Sequence, residues 1–554
     1  MRRQVSVCGG SDCTGAGSDG VLAAFAAELE RRSLSSHVSL VRTGCRGFCS
    51  AGPVVTLYPD GILYCRVAPE DVPEIVERSL LGQAIVPRLV YREPDSHRLL
   101  PRYAEIPFFR RQQRNVLRNC GLIDPLNIEE YIATGGYEAL AKALTQMSPE
   151  EVIAEVKEAG LLGRGGAAFP TGLKWEFARR ARGARKHVIC NAEEGDPGSF
   201  MDRSILEGDP HSVIEGMLIA GYAIGATDGY IYCRTEYPVA VQQLERAVEQ
   251  CYEYGLLGNR ILGTSFSFDI HLRPVPGLYV CGEETALMES ISGRRGEPRP
   301  RPPMPTTVGL WEHPTVVNNV ETLANVPLII SRGAAWYRSI GTEQSKGTKV
   351  FAVSGMVNHP GLVEAPWGVT LREVIFEVAG GPPSGYAVRA AHVGGPLGGA
   401  LPPSYFDEPI SHDSFRDAGA NVGHGSIVVI GDDTCMVELA QYYVQFGVAE
   451  SCGKCTPCRV GGRRLQEILA RIANGNGSLA DLDAIKELAA VMRESSLCAL
   501  GQMMAAPVLS TIVHFAEDYL AHIQQGRCPA QAKDLPQHSR ATRRALAQGS
   551  SAAW

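Results

Sequence analysis

The sequence predicts a multidomain α/β protein that ends in a helical region. Three observations carry that expectation. At 554 residues the chain is too long for one hydrophobic core, so it should divide into about three to five domains. Between residues 126 and 345, amphipathic stretches, glycine-rich loops and short apolar runs alternate, the pattern of a sheet covered by helices. Eight of the sixteen cysteines fall into two tight groups near opposite ends of the chain.

Composition narrows the class. Apolar residues make up 45% and charged residues 20%, the balance of an ordinary globular protein. A net charge of −7 offers no strong field for nucleic acid or an anionic membrane surface, so neither is expected as a partner. No uninterrupted apolar run is long enough to span a bilayer and no hydrophobic leader opens the sequence. The expectation is a cytoplasmic protein without direct membrane insertion, where a reducing environment disfavours disulfides.

Residues 1–82 read as a small α/β unit: a strand at 4–8, a helix at 20–31, a strand at 38–42, a hairpin around Pro59-Asp60-Gly61, and a closing helix at 69–81. Residues 83–125, rich in Arg and Pro, read as a linker wrapping over the next domain. In the α/β domain at 126–345, strands are expected at 187–190, 230–234 and 278–281, with helices at 149–159, 212–223 and 239–253. The proline-rich run at 298–305 must be a loop. Residues 346–430, short strands around one helix at 371–378, resemble a β-grasp module. Residues 431–524 turn helical, and 525–554 read as an extended tail.

The cysteine groups carry the most specific chemistry. Cys452, Cys455 and Cys458 lie on one tight loop, and Cys498 follows after helices that can return it to them. An iron–sulfur cluster needs four thiolates converging in this way, although four thiolates also suit zinc. Cys8 and Cys13 lie on the loop leaving the first strand, Cys45 and Cys49 on the loop after the second. Two loops at one end of a sheet can pinch a [2Fe-2S] cluster. A thioredoxin-type dithiol would want a two-residue gap that is absent here, and zinc stays as the weaker alternative.

Two loops point to a nucleotide. Gly163, Arg164, Gly165 and Gly166, with Lys174 beyond, combine backbone N–H groups free to approach phosphate with positive charge. Phe169 and Phe177 fit two readings, as core residues or as stacking faces for an aromatic ring. Asn191, Glu193, Glu194 and Asp196 follow a strand, where open α/β sheets place their ligands. Glu283 and Glu284 form a second acidic pair after the strand expected at 278–281. The acidic loops are either solvated or hold sugar hydroxyls, and having two of them favours ribose.

Taken in order, residues 163–175, 190–203, 280–285, 309–311, 318–322 and 450–459 with Cys498 resemble the NADH-binding flavoprotein subunit of respiratory complex I. They also resemble its soluble relatives, the diaphorase subunits of NAD-linked hydrogenases, electron-bifurcating ones among them, and of formate dehydrogenases. Residues 1–82 resemble the thioredoxin-like [2Fe-2S] ferredoxin domain that accompanies this family, fused here as in the hydrogenase-type relatives. The resemblance implies a Rossmann-like FMN/NAD domain, an SLBB-type β-grasp domain and a helical bundle holding a [4Fe-4S] cluster. It assigns Gly163, Arg164, Gly166, Lys174, Asn191, Glu193, Glu194, Asn318, Asn319 and Thr322 to FMN. Phe169, Phe177, Asp196, Glu283 and Glu284 go to the NADH side, with Tyr279 and Gly282 approaching the flavin.

The implied function is reversible hydride transfer between NAD(H) and FMN, then single-electron transfer through [4Fe-4S] and [2Fe-2S] clusters. No acid–base residue is required, with Asp196 and Glu194 the nearest candidates. The expected partners are a small [2Fe-2S] subunit and a catalytic iron–sulfur subunit of hydrogenase or formate dehydrogenase type. Alternatives are a complex I subunit, an electron relay without nucleotide turnover, an electron-bifurcating role and a thiol–disulfide oxidoreductase. Three departures from the family pattern stand out: Ala168 replaces a glycine, Asp196 a glutamate, and the segment Arg301 to Met304 loses an aromatic. Glu284 predicts NADH over NADPH, with Arg301 opposing. Cys435, His522 and Cys528 are a weaker candidate for a structural zinc.

Overall fold

A computed structural model describes residues 3–94 and 96–532, and the tail expected from 525 lies mostly outside the described residues. The front unit is a four-stranded sheet in the order β2-β1-β3-β4, formed by β1 (Arg3–Cys8), β2 (Val38–Thr43), β3 (Val55–Tyr58) and β4 (Ile62–Tyr64). Strands β1 and β2 are parallel, so the loops leaving them emerge at the same end. The helix Ser18–Arg31 covers one face, burying Val21, Phe25 and Leu29.

Residues 83–125 are more structured than a linker. A short hairpin, β5 (Tyr91–Arg92) and β6 (Leu99–Leu100), lies beside β4. Further on, the amides of Val116 and Leu117 donate to the buried Glu364 carboxylate, 2.9 Å each, in the β-grasp domain. The segment therefore belts the front unit to the β-grasp domain. Backbone donors spaced along an irregular chain reveal nothing of that in a sequence.

The central sheet runs β10-β7-β8-β9, all parallel, with β7 (His187–Ala192), β8 (Asp228–Arg234), β9 (Asp269–Val275) and β10 (Thr315–Asn319). Strand β7 is apolar on both faces, as a parallel strand between helical layers must be. The strand expected at 278–281 is instead a 3₁₀ turn, Tyr279–Gly282, feeding the helix Glu284–Ile291. The strand that adds to the sheet is the earlier β9, whose Arg273 and Pro274 hid it. Because β7 pairs with β8 on one side and β10 on the other, the chain reverses its direction of travel across the sheet between β7 and β10. Ligands of open α/β sheets bind at the carboxyl ends of strands flanking such a switch.

The β-grasp sheet runs β12-β11-β15-β13-β14, from β11 (Thr348–Gly355), β12 (Gly361–Pro366), β13 (Val388–Val393), β14 (Gly399–Leu401) and β15 (Ser426–Gly431). Its central β11 and β15 are parallel while the flanking pairs are antiparallel. The C-terminal region is all helix, from Met436–Ala449 to Ala516–Gln525. Among the described residues no single helix is long and apolar enough to cross a membrane.

Candidate functional site

The switch point gathers the predicted nucleotide residues. Helix Pro149–Ala159 opens on a Ser148–Glu151 capping box and ends at Gly160, whose φ of 70° turns the chain into the glycine loop. That loop lies against the end of β10: a Cβ added to Gly165 would sit 3.1 Å from Asn319. Thr322 Oγ accepts from Arg164 N at 2.8 Å, and Asn319, which pairs with Asn191 across β10 and β7, caps the helix Val320–Arg332. Backbone N–H groups at a helix start beside a glycine loop make a phosphate cradle.

Not every predicted charge reaches it. The Arg164 guanidinium is sealed in the interior, donating to Tyr337 Oη at 2.9 Å and to the carbonyls of Leu162, Lys346 and Thr348. The side chain of Arg164 is taken by the interior and its N–H by Thr322, so the charge read from the loop belongs to the fold. Lys174 does point to the site, donating to Val317 O at 3.1 Å and to Glu284 at 3.2 Å. Ala168 has φ 47°, the left-handed region that favours the glycine of the family pattern.

The loop after β7 is held from several sides. Asn191 Nδ2 donates to Gly282 O at 3.0 Å, and Asn318 Oδ1 accepts from Trp175 Nε1 at 2.9 Å. Glu193 pairs with Arg234, yet burial pushes it up to about 8. Glu194 accepts from the amides of Asp202 and Arg203 at 3.0 and 2.9 Å, capping the helix Met201–Gly208, and burial raises it as well. Asp196 is raised by burial and bonded to the Tyr279 hydroxyl. Carboxyl oxygens of Glu193, Asp196 and Asp202 are buried without a hydrogen-bond partner. Such acceptors at a strand-end crevice fit the ribityl hydroxyls and ring N–H of FMN, so the residues present suit that group.

The NADH side is more open. Phe169 and Phe177 are about half exposed, with ring centroids 6.5 Å apart, which removes the core reading and leaves two free aromatic faces. Glu283 caps the helix Glu284–Ile291 by accepting from Thr285 N and Ala286 N, so its carboxylate is engaged by backbone. Glu284 lies between two cations, Lys174 at 3.2 Å and Arg301 at 3.1 Å. The opposing charges predicted for this pocket thus form one ion pair.

The rear cysteines sit against this site. Cys452, Cys455, Cys458 and Cys498 share one packed group with Tyr279, Val280 and Cys281. Cys455 caps the helix Thr456–Ala473, Cys458 lies in its first turn, and Cys498 caps Ala499–Met503. Tyr279 N donates to Glu450 at 2.9 Å, tying the flavin-side turn to the cysteine loop. Burial pushes the Cys498 thiol up to about 11. Thiols raised in this way ionise when a metal coordinates them.

The front cysteines also meet: the Cys8 thiol is hydrogen-bonded with those of Cys13 and Cys45, and Cys45 with Cys49. Their loops press against other domains. Ser11 N donates to Glu207 at 3.1 Å, and Gly44 lies so close to Gly208 that a Cβ would come within 2.0 Å. Apart from both groups, Cys435 Sγ and His522 Nε2 are 3.3 Å apart, with Cys528 beside them. That is three ligands where structural zinc takes four, among the described residues.

Sequence reasoning missed Asp202 and His424, which join Glu194 in a buried cluster. Asp202 lies in the 190–203 motif and could have been read from it; His424, in the β-grasp segment, gave no signal.

Comparison with known proteins agrees with this geometry. Residues 1–79 match the thioredoxin-like [2Fe-2S] ferredoxin family, 156–328 the Nuo51 FMN-binding domain, and 438–522 the NADH-ubiquinone oxidoreductase-F iron-sulfur binding region. The NADP-reducing hydrogenase subunit HndC of Solidesulfovibrio fructosivorans is 53% identical over 421 residues, 76% of this chain and 86% of that protein. A subunit of the NADH-quinone oxidoreductase of Rhizobium meliloti is 46% identical over 414 residues, 75% of this chain and 98% of that protein. A crystal structure of NAD+-reducing [NiFe]-hydrogenase in the H2-reduced state aligns with 99% of this chain and 88% of its own, with a TM-score of 0.67 at 32% identity. With its ferredoxin domain, FMN-binding domain and iron–sulfur binding region all in the family's order, the chain belongs to the complex I-type NADH-binding flavoproteins and is a catalytic NADH dehydrogenase (diaphorase) subunit using FMN and iron–sulfur clusters.

Proposed function

We propose that this chain is the nucleotide-oxidising entry point of a cytoplasmic, multi-subunit hydrogenase-type enzyme, passing electrons from NADH to iron–sulfur partner subunits. The observation that carries the reading is the packing of the four rear cysteines against the Tyr279–Gly282 turn, beside the carboxyl ends of β7 and β10. FMN held there would supply the hydride acceptance from NADH and the release of single electrons, chemistry that belongs to the cofactor. The chain's residues supply the geometry. The 163–166 loop and the Asn319-capped helix hold phosphate, and the 191–196 loop takes the ribityl chain. Phe169 and Phe177 flank the nucleotide, and Glu284 receives the adenosine ribose. Cys452, Cys455, Cys458 and Cys498 hold a [4Fe-4S] cluster, and Cys8, Cys13, Cys45 and Cys49 a [2Fe-2S] cluster.

The higher identity to the hydrogenase subunit, 53% against 46% for the quinone oxidoreductase subunit, supports a hydrogenase-type partner over a quinone-reducing one, as does the structural alignment that includes the fused front domain. Anaerobic NADH-to-viologen turnover by the purified chain, with the chains that co-purify identified, tests the reading. Bound clusters without NADH oxidation would favour the electron-relay alternative. Insulin reduction without bound iron would favour a thiol–disulfide oxidoreductase.

A further inference from the structure

His424 comes to the flavin site from another domain. It lies in the short segment before β15, between Gly423 with φ 52° and Gly425 with φ 106°, which lets the backbone press onto the glycine loop. A Cβ on Gly166 would sit 3.4 Å from Gly423 and 3.5 Å from His424 N. The imidazole enters a group of three carboxyls. Nε2 is 3.0 Å from Asp202 Oδ2, and Nδ1 is 3.8 Å from both Glu194 and Asp196. Asn319 Nδ2 donates to the same Asp202 oxygen. Side-chain exposure is 9% for His424, 1% for Asp202, 0% for Glu194 and 11% for Asp196, so water does little to separate these charges. Two other cations lie nearby: Lys349 on β11 is taken by Glu321, and Arg203, which also feels Glu194, is 3.9 Å from Glu207.

We propose that His424 is the positioning residue that locks the β-grasp domain onto the flavin site, its imidazolium clamping Asp202 and Glu194 and thereby fixing Asn319 and the 193–203 loop for FMN. The inference rests on the FMN reading above. Removing one partner from a buried charge group leaves the others uncompensated, which is costly. Asp202 and Glu194 connect directly to the site: Asp202 to the Asn319 cap, and Glu194 to the start of the helix Met201–Gly208. Without the cation, either the two carboxyls repel or Glu194, already raised by burial, takes up a proton; either way the loop that carries both loses its clamp.

The clamp should fail at alkaline pH. Burial alone would lower His424, but Asp202 and then Glu194 outweigh it, against opposition from Lys349, and raise the group to about 9. A raised folded value means that the stabilisation is complete below the ordinary histidine range and is lost as pH rises through about 9.

The test is FMN titration of the flavin-stripped full chain by fluorescence quenching, from pH 6.5 to 10, with amide exchange of residues 193–203 followed in the same samples. Wild type should bind FMN at neutral pH and lose affinity through about pH 9. His424→Asn should bind about tenfold or more weakly at pH 7 and exchange faster across 193–203. His424→Asn/Asp202→Asn, which removes cation and carboxylate together, should recover most of the affinity and lack the alkaline fall. Equal wild-type and His424→Asn affinity, or the same alkaline fall in wild type and the double variant, would overturn the clamp. Wild type that binds no FMN would instead sink the flavin reading, and the exchange of 193–203 in wild type against pH would still decide the clamp. A protection factor across 193–203, taken against the base-catalysed intrinsic rate, that stays flat through pH 9 overturns it without any variant.

Discussion

The two cysteine groups differ in how the fold holds them, and that difference assigns them different work. The front group sits on two loops at the end of a parallel strand pair, sealed by Glu207 and Gly208 of the FMN domain and by the β-grasp domain, whose Leu362 carbonyl and Gly361 meet Gly47. The rear group sits at helix starts beside the flavin-side turn, with Cys452 and Cys455 half exposed. The front group is the more enclosed, with Cys49 alone of its four half exposed; the rear group lies between the flavin-side turn and the surface. Electrons leaving for a partner should pass through the rear.

Breaking the rear group should therefore have the largest effect. Cys498→Ser is expected to remove the [4Fe-4S] paramagnetic signal and lower viologen reduction at least tenfold, because Cys498 is the ligand supplied from outside the 452–458 loop. NADH should still bleach the flavin, and the front cluster should keep its spectrum. An unchanged [4Fe-4S] signal would mean that Cys498 is not a ligand.

The front group should respond through stability. Ser11→Ala removes the hydroxyl donor, and loosens the amide donor beside it, from a Glu207 carboxylate that is 2% exposed. We expect a loss of about 1–3 kcal/mol, read as earlier thermal bleaching of the front cluster. Viologen turnover at low temperature should hold. A fall in turnover without a change in stability would place the front cluster on the main route.

The nucleotide pocket sharpens the same contrast on its exposed side. Glu284 and Arg301 neutralise each other, so Glu284→Gln should free the guanidinium for a 2′-phosphate and raise NADPH over NADH by about tenfold in kcat/KM. Arg301→Ala should shift preference the other way. If neither variant moves the ratio, the ribose does not bind there. Smallest of all, Ala168→Gly should relieve the φ of 47° and stabilise the loop by up to about 1 kcal/mol, measured as a small rise in flavin affinity or melting temperature.

What was legible in the sequence follows from locality. The cysteine loops, the glycine loop and the 191–196 loop each sit within a dozen residues, and strand-then-loop patterns place them at strand ends. Side-chain direction was not legible. Arg164 in a glycine loop reads as a phosphate ligand, yet three carbonyls and Tyr337 draw it inward. Glu283 reads as a ribose ligand after a strand, yet the strand is a 3₁₀ turn and the carboxylate caps the helix that follows it. Least legible was His424, which reaches Asp202 across 222 residues of chain through the packing of one domain on another. Residue spacing carries no trace of such a contact.

Two unlike cysteine groups should hold two unlike clusters around one flavin. Metal and flavin analysis of the anaerobically purified chain tests it most directly. Iron should approach about six atoms per chain, two in front and four at the rear, with one FMN. Stoichiometric zinc in place of iron would contradict it.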